Sequence, residues 1–357
     1  MIWFFLIILA LAAYRMEFAP VGHLHGDYVG RESTRRINGL FTALIVMSHF
    51  VGYINMSGPY DIPYAAVRSH LNQAVVCTFL FYSGFGVMES ITAKGTRYIR
   101  SIPQKRLLPV LLRLIAAILL FILVQAFYKK WYGIERILLS FIGWDSVGNS
   151  NWYIHGILVL YLVTFLAGMP LPSGKASRYV HAALVSAGTV CYVIFLRKAG
   201  KEEWWYNTLA MYSAGMWYSL LREKIEKILC TDCIWYLALS LDLLLYAASF
   251  DRRNESLRFF TIWVLCFMAV VLLLSMKVKL NSPFLDFMGT HIFSIYILQR
   301  IPMLILSRAG FLSSHKYIGL IVVYATTCSM AIVFDKYTKK VFDALFRARS
   351  VQSNDCI

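Results

Sequence analysis

The stretch INGLFTALIVMSHFVGYI, residues 37–54, decides the fold class of this chain. It is apolar along almost its whole length, and about 20 such residues in a helix cross the hydrocarbon core of a bilayer. Similar blocks recur along the 357 residues, of which 59% are hydrophobic and 15% are charged. The charged share is well below that of soluble domains, which is about a quarter. The composition therefore predicts an all-α, polytopic transmembrane helix bundle.

Ten blocks of span length follow a shorter first block. The first block, at about 2–14, is short for a span and predicts a short N-terminal helix, an uncleaved anchor, within a segment of residues 1–34. We expect about ten core helices within a membrane domain of residues 35–335, followed by a cytoplasmic tail at 336–357. The ten blocks lie at about 37–57, 70–92, 107–128, 152–170, 179–196, 205–221, 232–250, 258–276, 284–307 and 317–334.

The loop charges predict the orientation. If residues 15–36 face the cytoplasm, the loops on that side hold most of the lysines and arginines, as the positive-inside rule requires. The chain is thus expected in the plasma or inner membrane, with both ends of its core in the cytoplasm. The same rule explains the net charge of +16, so the lipid bilayer is the expected partner and nucleic acid is not.

The loops are too short for a soluble domain, so any chemistry must lie in or beside the bundle. Cys230 and Cys233 form a CxxC pair, but a structural zinc site needs a second pair of ligands, and none is near. No metal site is therefore predicted.

His49 is an imidazole inside an apolar block, which makes it a candidate functional group. A neutral imidazole can accept a proton from a hydroxyl near neutral pH. The alternative is a structural role, in which His49 forms a hydrogen bond to a neighbouring helix.

Two further stretches carry polar groups near the predicted cytoplasmic side. TFLFYSGFGVMESI, residues 78–91, contains Ser83 between apolar residues, and its glycines favour either close helix packing or access of a substrate to the backbone. In KGTRYIRSIPQKRLLPVLL, residues 94–112, Lys105 and Arg106 stand at the mouth of a helix. They favour either ordinary positive-inside topology or a site for a phosphorylated cofactor.

Two stretches on the later helices complete the set. Asn151, Trp152 and Tyr153 begin the block at 152–170, where they predict either an aromatic belt or a surface on which sugar rings stack. SPFLDFMGTHIFSIYILQRIPMLI, residues 282–305, places Arg300 deep in a span, where a cation needs a partner or water. A buried structural ion pair is the alternative for Arg300.

In this order, the five stretches resemble the acyltransferase 3 family of integral membrane O-acyltransferases over about residues 35–335. The resemblance lies in LIVMSHF, FLFYSGFGVM, QKRLLP, NWYI and MGTHIFSIYILQRIP. It implies an enzyme that moves an acyl group, usually acetyl from cytoplasmic acetyl-CoA as donor, to a hydroxyl of a cell-surface glycan or related envelope molecule. The acceptor expected here is therefore a glycan or a lipid-linked glycan.

The resemblance also implies roles for residues. His49 would be the base that deprotonates the acceptor hydroxyl or helps to relay acetyl outward, and Arg300 or Ser83 would stabilise the thioester oxyanion. The expected phosphate-binding residues are Lys105, Arg106 and Arg36, and the expected acceptor-side residues are Asn151, Trp152 and Tyr153.

The chain departs from the family pattern at three positions, which favours a divergent subgroup. Asn38 stands where the family usually has a cation, and Pro103 replaces the first of two arginines. Arg300 stands two residues before Pro302, where the family usually has a histidine.

Two other functions remain open from the sequence. A glycan or lipid transporter or flippase would use His49 and Arg300 to bind substrate without acyl transfer. A glycan polymerase or ligase would need a large outer loop with paired arginines, whereas residues 129–151 hold one arginine and two lysines.

Overall fold

The prediction of an all-α fold is confirmed. The computed structural model describes residues 1–344 in full and the secondary structure alone from 345 to 352, so the predicted end of the tail at 353–357 lies outside the described residues. The helices are α1 (Ile2–Ala13), α2 (Arg31–Phe50), α3 (Ile62–Leu71), α4 (Ala74–Lys94), α5 (Thr96–Ile102), α6 (Leu108–Phe127), α7 (Ile134–Phe141), α8 (Trp152–Gly168), α9 (Lys175–Lys198), α10 (Ala210–Ile228), α11 (Asp232–Arg252), α12 (Leu257–Lys277), α13 (Pro283–Thr290), α14 (Ile292–Leu298), α15 (Arg300–Arg308), α16 (Phe311–Ser314) and α17 (Lys316–Gln352).

Short elements connect some of these helices. A 3-10 turn (Val51–Tyr53) follows α2, and a π-helical turn (Pro103–Leu107) joins α5 to α6. Strands β1 (Glu17–Phe18) and β2 (Val278–Lys279) form an antiparallel pair in which Glu17 lies opposite Lys279.

Within the described residues, six helical segments are long and apolar enough to cross a membrane. They are Ile62–Lys94, Thr96–Phe127, Lys175–Lys198, Asp232–Arg252, Leu257–Lys277 and Lys316–Ala344. A seventh candidate is a broken span that combines α13 with α14 and α15. This is a multi-pass membrane fold.

Three more helices form at predicted blocks but do not meet the same test. Helix α8 has only 17 residues, and charged side chains occupy the start of α2 and the end of α10. The count of ten spans therefore stays a prediction, although each of the ten blocks is helical.

The block at 284–307 is not the single helix that its hydropathy predicts, because it is broken at His291 and again at Gln299. Pro302 explains the second break. A proline has no N–H to donate to the carbonyl of Leu298, four residues earlier, so the helix cannot continue regularly there.

The chain divides into two compact units. Unit 1 comprises Met1–Ile45, Met56–Pro103 and Val159–Thr290, and unit 2 comprises Val46–Asn55, Gln104–Leu158 and the chain from His291 onward.

Glycines allow the helices of unit 1 to pack backbone against backbone. A Cβ atom added at Gly84 of α4 would lie 1.9 Å from the carbonyl oxygen of Tyr212 in α10. In the reverse direction, a Cβ at Gly215 would lie 2.0 Å from the carbonyl oxygen of Phe81. Only hydrogen fits at either position, so the seam between α4 and α10 depends on both glycines.

A similar seam joins the first half of α2 to α13. A Cβ at Gly39 would lie 2.2 Å from the carbonyl oxygen of Leu285, and one at Gly289 would lie 2.1 Å from that of Arg35. This contact brings the arginines at the start of α2 beside Asp286 of α13.

An exposed ion pair ties the linker before α2 to strand β2. Lys279 Nζ lies 2.7 Å from Asp27 Oδ2, and about half of the Asp27 side chain is exposed. The hydrogen bond from Lys279 lowers the pKa of Asp27 below its usual value.

In unit 2, α14 and α15 pack against α17, and α6 packs against α14 and α17. The 3-10 turn that follows α2 packs against α15. Through this turn, the last residues of α2 lie beside the residues around Arg300.

Candidate functional site

His49 lies in the last turn of α2, next to two tyrosines of unit 2. Its ring centroid is 6.1 Å from that of Tyr296 in α14. Tyr296 in turn meets Tyr153, at the start of α8, in an edge-to-face contact with a centroid distance of 5.5 Å. His49 and Tyr153 are half-buried, whereas Tyr296 is 4% exposed. We call these three residues the aromatic cluster.

A cation lies beside this cluster. Arg300 begins α15, four residues after Tyr296 and directly after the break at Gln299. Its guanidinium interacts electrostatically with the Tyr296 phenol and with Tyr53, in the turn that follows α2. The structure thus brings together three of the residues predicted from the sequence: His49, Arg300 and Tyr153.

Several buried polar atoms around the aromatic cluster have donor or acceptor capacity that the protein does not use. The atoms Tyr296 Oη, Ser150 Oγ, Gln299 Oε1 and Arg300 Nε are shielded from solvent, and none of them forms a hydrogen bond of good geometry, although the Tyr296 and Ser150 hydroxyls interact with each other. Buried polar atoms in native proteins nearly always have partners, so such a group needs an explanation. A polar substrate could supply the partners here.

The predicted acceptor-side residues differ in their contacts. The side-chain amide of Asn151 donates to the carbonyl oxygens of Gly143 at 3.0 Å and Asp145 at 2.9 Å, so it orders the loop before α8. Trp152 is half-buried and packs against Tyr153, with ring centroids 6.2 Å apart. Of the three, Tyr153 belongs to the aromatic cluster, through its contact with Tyr296.

A second polar cluster lies on α14 and α17, also in unit 2. Asp335 of α17 accepts hydrogen bonds from His291 Nδ1 at 2.5 Å and from Ser294 Oγ at 2.6 Å. Arg113 of α6 lies 3.7 Å from the same carboxylate. Tyr296 comes five positions after His291, which corresponds to about 7 to 8 Å along a helix. The Asp335 cluster therefore lies about one and a half turns from the aromatic cluster.

Lys105 and Arg106, the predicted phosphate-binding residues, lie in the π-helical turn before α6. Lys105 is exposed and Arg106 is half-buried. Pro109 explains the wide turn, because it cannot donate a hydrogen bond to the carbonyl of Lys105. Such π-turns are frequent at functional sites. The turn presents a cation to solvent beside the start of a membrane helix.

Arg36 belongs to unit 1 and already has protein partners. Its guanidinium lies 3.1 Å from Asp286 Oδ1 and donates to the Leu280 carbonyl at 3.2 Å and to the side-chain oxygen of Asn281. It also borders an open polar depression of about 560 Å³ that includes Arg15. Most of its donors serve the protein itself, so it is less available to a phosphate than Lys105.

Ser83 is also in unit 1, half-buried in α4 beside the glycine seam. The role of Ser83 in stabilising an oxyanion stays a prediction.

The family match covers most of these residues, but Arg36 and Asp335 lie just outside its bounds. A family model described as an acyltransferase domain, acyltransferase 3, matches residues 37–334. The chain belongs to this family. Comparison with curated proteins and with solved structures finds no match. The resemblance seen in the five sequence motifs is therefore confirmed at the level of the family, and the protein is a membrane acyltransferase.

For this acyltransferase, sequence reasoning missed four polar residues of unit 2, two beside the aromatic cluster and two in the Asp335 cluster. They are Tyr53, Arg113, Ser150 and Asp335. Only Asp335 carried a signal, since it is a carboxylate in the first turn beyond the last apolar block. Its partners His291, Ser294 and Arg113 are distant in sequence, and nothing in their spacing indicated the contact.

Proposed function

We propose that this acyltransferase moves acetyl from cytoplasmic acetyl-CoA to a hydroxyl of a glycan or lipid-linked glycan of the cell envelope. The observation that carries the proposal is the position of His49 against Tyr296, whose phenol also interacts with the guanidinium of Arg300. A base and an aromatic surface therefore lie in the aromatic cluster, with a cation directly beside it. Acyl transfer to a hydroxyl needs a base and a positive group for the oxyanion.

His49 would take the proton of the acceptor hydroxyl as its oxygen attacks the acetyl carbonyl, or would help to relay acetyl outward. Acetyl-CoA would supply the acetyl group as a thioester, and the C–S bond breaks as the new C–O bond forms. Arg300 would face the oxygen that becomes negative in this step. It is well suited because its Nε is buried and has donor capacity left. Ser83 is the alternative donor to the oxyanion.

On the acceptor side, aromatic rings would contact the sugar. Tyr153 and Trp152 stand at the start of α8, on the side of the membrane that the loop charges predict to be external. Ser150, in the loop before α8, and Gln299, directly after α14, are buried and have hydrogen-bonding capacity that sugar hydroxyls can use. Asn151 would act through the loop that it orders.

On the donor side, Lys105 and Arg106 would bind the phosphates of CoA, with Arg36 in a smaller role. The exposure of Lys105 in the π-helical turn supports this assignment. Both cations lie at the end of α6 that the charge bias predicts to be cytoplasmic. The proposal therefore requires the plasma or inner membrane, with the ends of the core in the cytoplasm.

Cells that lack the gene provide the first test. We expect the O-acetyl content of the surface glycans to fall and to recover on complementation with the wild-type gene. Unchanged acetylation together with a loss of glycan export would contradict the proposal and favour a transporter. Direct transfer is measured with purified protein in liposomes, from the release of CoA in the presence of surface glycan extracted from the deletion strain. CoA release that does not depend on glycan would contradict the proposed acceptor class.

A further inference from the structure

Unit 2 contains a groove that plays no part in the proposed acyl transfer. It lies between α6 and α17, has a volume of about 760 Å³, and is lined mostly by aliphatic and aromatic side chains. We call it the α6–α17 groove. Its volume is in the range of small-molecule binding sites, which is about 300–1,000 Å³.

The charges of the groove are confined to one end. Among the described residues that line it, the charged side chains are Arg113 and Lys339, both cationic. Arg113 lies beside Asp335, and Lys339 is four residues after Asp335, so the two cations lie near the same face of α17. At the other end, the lining contains Leu120 and Met330.

The negative charge of Asp335 does not cancel this cationic end. The carboxylate is held by His291, Ser294 and Arg113, which satisfy its oxygens. Lys339 is exposed, and the charge of Arg113 is only partly balanced, at 3.7 Å from Asp335. An anion at this end would meet two cations.

The length of the groove is closer to one leaflet of a bilayer than to two. On α6 the lining extends from Pro109 to Leu120, about 17 Å at 1.5 Å per residue, and on α17 it extends from Ser329 to Phe342, about 20 Å. One leaflet contributes half of a hydrocarbon core of about 30 Å. A partner helix that spans the membrane would need a longer contact surface than the groove offers.

We propose that the α6–α17 groove binds one anionic phospholipid of the leaflet into which Arg113 and Lys339 project. The phosphate lies between the two cations, and an acyl chain runs along the apolar wall toward Leu120. Basic pockets between membrane helices bind anionic lipid head groups in this way, and Lys and Arg form strong charge-assisted hydrogen bonds to phosphate. This site is separate from acyl transfer and does not depend on it.

The charge of the groove is tested with the full chain in nanodiscs that contain phosphatidylglycerol and phosphatidylcholine. Bound lipid is measured by native mass spectrometry. We expect retention of phosphatidylglycerol over phosphatidylcholine and a roughly fivefold loss of that preference in Lys339→Gln, since one cation near an anionic lipid contributes about 1 kcal/mol. Lys336→Gln is the matched control, because Lys336 is exposed on the same helix and is outside the groove lining.

The apolar wall is tested by filling it. Val333 lines the groove, whereas its neighbour Ile332 does not, and both side chains are about half exposed. We expect Val333→Trp to displace the retained phosphatidylglycerol and Ile332→Trp to leave it bound.

Three results would overturn the proposal. They are equal retention of the two lipids by the wild-type protein, equal loss in the two lysine variants, and equal loss in the two tryptophan variants. The first would mean that the groove has no preference for anionic lipid, and the other two would place the retained lipid outside the groove.

Discussion

The glycine seam between α4 and α10 gives the sharpest structural prediction, and Gly84→Ala is the change that tests it. From the sequence, the glycines of YSGFG were compatible with close packing or with access of a substrate to the backbone. The structure distinguishes Gly84 from Gly86 by the space around each glycine. An added Cβ at Gly84 would lie 1.9 Å from the Tyr212 carbonyl oxygen, whereas one at Gly86 would meet nothing within 4 Å.

The magnitude follows from this distance. Real Cβ atoms essentially never approach another heavy atom within 3.0 Å, so α4 and α10 would have to separate by more than 1 Å at Gly84. Overpacking of this kind costs about 1–3 kcal/mol. The gain in helix propensity from glycine to alanine, about 0.5–1 kcal/mol, is common to both positions. We therefore expect Gly84→Ala to be less stable than Gly86→Ala by about 1–3 kcal/mol.

The assay is thermal unfolding of the two purified variants and the wild-type protein in the same detergent. Gly86→Ala should unfold at or slightly above the wild-type temperature, and Gly84→Ala clearly below it. Equal unfolding temperatures for the two variants would refute the packing argument. If Gly84→Ala lost acyl transfer at wild-type stability, access of a substrate to the backbone would become the better explanation.

Three other changes have expected outcomes. Arg300→Gln should lower kcat for acyl transfer by roughly 10²–10³, as loss of an oxyanion donor does, with little change in the KM for acetyl-CoA. An unchanged kcat would exclude Arg300 as the oxyanion donor. Asp335→Asn should lower stability by about 1–3 kcal/mol in thermal unfolding, since Ser294 and its neighbours lose a charged acceptor, and wild-type stability would contradict this. Asp27→Asn should cost less than about 1 kcal/mol, because the ion pair with Lys279 is exposed. Since the pKa of Asp27 is lowered in the folded state, the wild-type advantage should be full above the usual carboxyl pKa of about 3.9 and decline as the pH falls toward and through the lowered value. An advantage that does not decline below the usual carboxyl pKa would refute this assignment.

The sequence predicted the helices well because the bilayer imposes a length and an apolar composition on every span. Each of the ten blocks is helical, including α2 and α10, whose charged turns reduce their hydropathy. The breaks were harder to predict. The effect of Pro302 on the Leu298 carbonyl could have been inferred from the sequence, but the break at His291 had no comparable signal.

The candidate site was predictable only in part. His49 and Arg300 were found because charged or titratable groups are rare inside membrane spans. His49 and Arg300 both lie next to Tyr296 because α15 packs against the turn after α2, and no local sequence pattern specifies that packing. For the same reason, the sequence did not show that the side-chain amide of Asn151 donates its hydrogen bonds to the loop before α8.

The most direct test of the central claim is acetyl transfer by His49→Ala, measured with purified protein in liposomes from labelled acetyl-CoA to extracted surface glycan. The matched control is His315→Ala, since His315 is exposed in a loop of unit 2. Loss of a general base lowers rates by about 10²–10⁴, so we expect a fall of this size in His49→Ala and wild-type rates in His315→Ala. Wild-type transfer by a correctly folded His49→Ala protein would contradict the account.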